Sequence, residues 1–228
     1  MARPKYPRSS GPVPAALPPE VRPVGQVIAE AIRLYGRHLW LCLPLGLPLA
    51  IASPLTFDRS KPALTVIFVA LSPLFTAAYI GACAIEAGHV RSRRRWPVAA
   101  LIGTIVFVPA AATFSWFVLA GIAWLAVLGW VVPVLMNEGR SVPDAFRRTV
   151  ELFRADALHA IGGLAALVLV FVLTRSGMAW LLRAQADNTV RVSIFVADLV
   201  ISPVIFLGSA IVYRDLAARV GRGRRERE

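Results

Sequence analysis

Charge is missing from this chain over its longest stretches. Residues 97–136 form 40 consecutive positions without a single charged side chain. At about 1.5 Å per residue a helix of that length would reach about 60 Å, twice the roughly 30 Å of bilayer hydrocarbon. One helix cannot use it, so two spans are expected, with a turn in 111–116 where Thr113, Ser115 and Trp116 give local polarity. Cysteine is nearly absent as well. Cys42 and Cys83 both lie in apolar runs, which excludes a disulfide framework and reads as small apolar filling. Lysine is confined to Lys5 and Lys61, and this Arg- and Ala-rich usage points to a GC-rich bacterial genome. No G-x-S-x-G, phosphate-binding loop, H-E-x-x-H or paired-cysteine motif occurs, so no catalytic centre, metal site or cofactor is expected.

Apolar side chains fill the space that charge leaves. They make up 57% of the 228 residues, above the 45–50% or so of soluble domains, and are gathered into long runs. The expected fold is all-α: a polytopic transmembrane bundle of six spans. The spans fall near 39–57, 63–85, 97–112, 117–136, 158–174 and 190–213. Pro44, Pro48 and Pro54 in the first span predict a bent or partly unwound helix. Residues 1–23 are proline-rich, lack the apolar core of a cleavable signal, and read as a disordered cytoplasmic tail. The transmembrane domain is expected over 24–213, and 214–228 as a basic cytoplasmic tail. Residues 175–186 read as an interfacial segment or an extension of span five.

Two segments are amphipathic and too charged to span. In 24–38, Val24, Val27, Ile28, Ala31, Ile32 and Tyr35 recur at helical spacing, with Glu30, Arg33 and Arg37 on other faces. This is either an interfacial helix or the start of a long first span. In 141–156, Ser141 and Asp144 give an S-x-x-D start with Pro143 in the first turn, and Ala145, Phe146, Val150 and Phe153 form an apolar face. At an offset of 118 the two segments echo each other: Val24 meets Val142, Ile28 meets Phe146 and Leu34 meets Leu152. Each precedes a span, as a parallel duplication would require. Chance matching of two amphipathic helices gives the same signal.

The basic residues set the orientation. Of 25 Lys and Arg residues, all but Arg59, Lys61, Arg175, Arg183 and Arg191 fall on one side when six spans are drawn. The positive-inside rule then places both termini in the cytoplasm of a cell whose inner membrane holds the protein. The cluster Arg91, Arg93, Arg94, Arg95 reads as a topology determinant in contact with lipid headgroups. The formal charge of +12 is dispersed through such connectors, with no nucleic-acid motif, so nucleic acid is not an expected partner.

Asp198 is the sharpest candidate for a functional polar site, because it lies about eight residues inside span six. A carboxylate in hydrocarbon costs several kcal/mol unless it faces the bundle or water. It reads either as a proton or cation site or as a structural acid paired with a Ser, Thr or Trp, or with Arg191 or Arg183. Glu86, His89 and Glu138, with His38 and His159, approach the cytoplasmic face without ligand spacing and read as interfacial polar residues.

The stretch Trp130-Val-Val-Pro-Val-Leu-Met-Asn-Glu-Gly-Arg-Ser-Val-Pro-Asp-Ala-Phe-Arg-Arg-Thr-Val-Glu-Leu-Phe-Arg154 and the opening Ala31-Ile-Arg-Leu-Tyr-Gly-Arg-His-Leu-Trp40 carry a resemblance. They are similar to uncharacterised bacterial six-helix membrane proteins, themselves similar to the membrane domain fused to some glycerophosphodiester phosphodiesterases. The resemblance implies a six-helix integral membrane fold and supplies no catalytic residues. The interfacial helices, the basic cytoplasmic loops and the missing catalytic motifs make the expected function that of a non-enzymatic accessory membrane component. Its partners would be membrane lipids, other membrane proteins or further copies of itself. The alternative is a small-solute or ion transporter or channel, suggested by the broken first span, Asp198 and the echo between the two halves.

Overall fold

The computed structural model describes residues 17–88, 95–182, 184 and 187–225, and among them there are helices and no strands. The all-α bundle is as expected. Among the described residues five helical stretches are long and apolar enough to cross a membrane: Leu39–Thr56, Trp96–Phe114, Val118–Glu138, Ala157–Leu181 and Thr189–Gly223. A sixth is made by two helices, Lys61–Ala70 and Ser72–Ala87, bent by 50°. These lengths and compositions fit a multi-pass membrane protein.

The described residues open with a 3-10 turn, Pro19–Val21, and helix α1, Val24–Arg37. α1 is separate from the first span: His38 leaves helical geometry (φ −127°, ψ 37°) before α2, Leu39–Cys42, begins. Of the three prolines expected to bend or unwind the first span, Pro48 and Pro54 lie within regular α-helix and Pro44 does not. Pro44 sits in a 3-10 segment, Leu43–Gly46, that joins α2 to α3, Leu47–Thr56. The bent span is α4, Lys61–Ala70, and α5, Ser72–Ala87, with Pro73 at the start of the second arm. A proline there has no N–H for the preceding turn. α5 ends at Gly88, whose φ of 65° is a backbone state that glycine adopts without steric cost.

The uncharged run folds as two spans with the turn at Ser115–Phe117. α6, Trp96–Phe114, goes one way, and α7, Val118–Leu128, with α8, Val131–Pro133, returns. After Pro133 the last turn of this span widens into a π segment, Val134–Glu138. α9, Val142–Ala155, starts as its sequence indicates: the Ser141 hydroxyl accepts from the Asp144 N–H at 3.4 Å. α10, Ala157–Leu181, is capped by Asp156, which accepts from the His159 N–H at 2.9 Å. The mixed segment after 174 is thus largely an extension of span five.

The sixth span is α11, Asp187–Ile201, and α12, Pro203–Arg225, meeting at Ser202. Here two expected boundaries move. No break separates residue 213 from the region read as a tail, because the apolar stripe continues: Val212, Leu216 and Val220 recur at one-turn spacing and are all buried. The other tail, 1–23, is also shorter than expected, since Arg22 is buried against α12. Residues 1–16 lie outside the described residues. The Thr189–Gly223 stretch of 35 residues would reach about 52 Å, well beyond one layer of hydrocarbon. One end of it must therefore leave the lipid core.

α12 is the centre of the bundle, packed by α1, α5, α9 and α10. α11 instead packs on α3 and α10. The crossing of spans one and six is close at Gly46, where any Cβ would collide with the backbone carbonyl of Leu199. The echo between the halves has a structural counterpart. α1 and α9 are both 14 residues long, with both ends related by the same offset of 118. The next helix begins at Leu39 in one half and Ala157 in the other, again at that offset. The buried positions correspond too: Val27 with Ala145, and Ala31 with Thr149. Both second spans also break beside a Ser-Pro pair, Ser72-Pro73 and Ser202-Pro203, but at an offset of 130 and so outside that register.

Candidate functional site

Two polar centres lie along the sixth span. The first is built on Asp198, which is wholly buried. Its helix presses against α3, and this brings the Ser53 hydroxyl onto Asp198 Oδ2, to which it donates a hydrogen bond. Arg175, from α10, places Nε 3.8 Å from the same oxygen. Asp198 Oδ1 has no partner among the described residues. One turn on, the Ser202 hydroxyl lies 2.5 Å from the Asp198 carbonyl and 3.3 Å from that of Gly46, so the Ser-Pro break is held to both helices. Beside this centre, Ser53, Arg175, Arg191 and Phe57 line a cavity of about 20 Å3. About 10–15 Å3 is enough for one water, so the space suits a single water and not a solute.

Of the partners expected for Asp198, serine is found, while the cation is Arg175 in place of Arg191 or Arg183. Arg191 stacks its guanidinium on the Phe57 ring at 4.6 Å. Arg183 lies outside the described residues. Arg175 was legible only as a loop cation, because span five was expected to end at 174. The longer α10 carries it back over the bundle.

The second centre surrounds α12 where it leaves the apolar core. Four residues within two turns reach four other parts of the chain. The Tyr213 hydroxyl donates to Glu138 Oε1 at 3.2 Å. Arg214 Nη1 lies 2.7 Å from Glu86 Oε1 on α5. Asp215, wholly buried, accepts from Arg22 Nη1 at 2.9 Å, and its other oxygen is 3.6 Å from His159 Nε2. Arg219 pairs with Asp156 and donates to the Arg22 carbonyl at 2.9 Å. Its Nη2 also lies 3.2 Å from His159 Nδ1. Since a guanidinium only donates, His159 Nδ1 must be the acceptor and Nε2 must carry the proton that faces Asp215.

Glu138 is the second node. The π turn carries it inward, and its carboxylate takes Arg140 Nε at 2.6 Å and Arg148 Nε at 3.2 Å besides Tyr213. Arg148 also reaches Glu151 at 2.9 Å. Burial weighs against the Arg148 charge, but its hydrogen bonds to Glu151 and Glu138 prevail and hold its pKa above the ordinary arginine value. α9 is in this way riveted to spans four and six.

Of the basic cluster read as a headgroup contact, Arg91, Arg93 and Arg94 lie outside the described residues, as does His89. Arg95 donates to the Arg140 carbonyl and edges a larger cavity, about 160 Å3, with Val98, Leu135, Arg140, Ser141 and Val142. Among the described residues no group of three His, Cys, Asp or Glu side chains is placed to hold a metal ion. Cys42 and Cys83 are free and buried.

The ring around α12 was not foreseen from sequence. A signal for it existed: Asp215 and Arg219 are one turn apart on the same apolar stripe as Val212, Leu216 and Val220. Charges on the buried face of a helix demand partners. No family model, curated protein or solved structure matches this chain.

Proposed function

We propose that this is a non-catalytic, accessory component of a bacterial inner membrane, with both termini in the cytoplasm, whose working part is the basic interfacial end of the bundle. There it holds membrane lipid or another membrane protein. The observation that carries this reading is the ring of ion pairs on α12. It ties α1, α9 and the first turn of α10 into one rigid platform at the end where most of the described arginines lie. A platform of that kind presents charge at headgroup level without opening a path through the bundle. The resemblance to six-helix bacterial membrane proteins fits the same reading. Purification in mild detergent, followed by mass spectrometry of retained lipids and proteins, tests it. Specific lipid or protein should copurify in constant ratio; their consistent absence would count against the proposal.

Transport of a small solute or ion is the second reading. It is favoured by one observation, the buried Asp198 with one oxygen unpaired among the described residues, beside a water-sized cavity. Flux measured in liposomes with the native chain and with Asp198→Asn separates the two. A flux that the substitution abolishes would favour transport over the accessory role.

A further inference from the structure

We infer that the cavity between the start of α6 and the start of α9 is a binding site for the phosphate of an anionic phospholipid headgroup; this rests on the lipid-holding reading above. Two arginines, Arg95 and Arg140, stand on its wall, and Val98, Leu135 and Val142 give it an apolar side. Their charges are unequal in what opposes them. Arg140 is paired with Glu138, but that carboxylate is shared with Arg148. Arg95 has no carboxylate partner among the described residues; its one hydrogen bond goes to the Arg140 carbonyl. A guanidinium carries five N–H donors, so Arg95 is fixed in place with donors and charge to spare.

Size and position narrow the ligand. About 160 Å3 is below the roughly 300 Å3 at which ordinary small-molecule sites begin, yet it is many times the volume of one water. That suits one phosphate group with the first carbons of what it is attached to. Arg95 directly precedes Trp96, a partly exposed indole at the end of a span, the position where tryptophans meet the headgroup layer. The apolar side chains then face the glycerol and upper acyl region, while the guanidiniums take the phosphate oxygens in charge-assisted hydrogen bonds. A zwitterionic headgroup brings its own cation toward these arginines and should bind less well. Free phosphate shares the anionic chemistry and has no use for the apolar wall.

The test uses the full-length chain in mild detergent, titrated with phosphatidylglycerol or phosphatidylcholine and read by native mass spectrometry. Phosphatidylglycerol should bind more tightly. The double variant Arg95→Gln with Arg140→Gln should weaken it by about tenfold, the scale of one lost charge-assisted hydrogen bond. Arg147→Gln removes a cation that is 85% exposed on α9 and outside the cavity, and should leave binding unchanged. Val98→Phe fills the cavity without altering charge and should weaken the lipid too; it decides the matter if the double variant does not fold. Equal affinity for the two lipids would overturn the inference, as would an Arg147→Gln loss matching the double variant. Displacement of the lipid by millimolar glycerol phosphate would reassign the site to a free anion and overturn it as well. Lipid that is retained but indifferent to all these variants sinks this inference alone. Absence of any retained lipid or protein sinks the accessory reading itself.

Discussion

Asp198 and Asp215 lie on the same long span, both wholly buried, and their surroundings could hardly differ more. Asp215 is met by Arg22 at 2.9 Å, itself buried, and by His159 on its other side. Asp198 is met by a serine hydroxyl and by Arg175, 3.8 Å away and 37% exposed. A buried ion pair does not stabilise much over an apolar replacement, but removing one partner leaves the other charge stranded. Asp215 is in that position. Asp198 is not, because Ser53 is satisfied by any acceptor and Arg175 can turn to water. The first acid fixes architecture; the second occupies a site whose charge can change without breaking the fold.

The strongest way to test this contrast is Asp215→Ala. It strands Arg22 and removes the anion facing His159, so it should destabilise the bundle by about 3–5 kcal/mol. Unfolding in detergent, followed by circular dichroism, would measure that, and a loss below about 1 kcal/mol would remove the distinction. Gly46→Leu should come next, at about 1–3 kcal/mol, because the side chain must displace the Leu199 backbone where spans one and six cross. The same unfolding assay reads it, and Gly25→Leu, where the added Cβ meets nothing within 4 Å, serves as the comparison.

Asp198→Asn should change stability by about 1 kcal/mol or less, since asparagine still accepts from Ser53 and the arginine pair is long and part-exposed. A loss as large as that of Asp215→Ala would make Asp198 structural and end its candidacy for transport. Smallest of all, Arg147→Gln breaks only a 4.0 Å surface pair with Asp144 and should fall within about 0.5 kcal/mol of the native chain.

Much of this molecule could be read from its residues because lipid imposes a strict rule: backbone polar groups must be satisfied within each span. The uncharged run at 97–136 forced a helical pair, and Ser141 with Asp144 marked the start of α9. Asp198 was visible because an acid inside an apolar run is rare. What was hidden depends on tertiary contact. Ser53 is an ordinary small residue until α11 presses α3 against it. Arg22 looked like part of a proline-rich tail, and Asp215 like part of a basic one. They become a buried pair only because α12 continues past the apolar run and α1 packs along it. The equal lengths of α1 and α9 were likewise beyond reach of apolar matching, which two unrelated amphipathic helices could satisfy.

The proposed cytoplasmic placement of the basic end depends on the orientation of the bundle. The most direct measurement places single cysteines at residues 59 and 228, in a chain with Cys42 and Cys83 replaced, and treats intact cells with a membrane-impermeant maleimide. Residue 59 should react from outside, and residue 228 only after the membrane is opened. Labelling of residue 228 in intact cells, with residue 59 protected, would contradict the account.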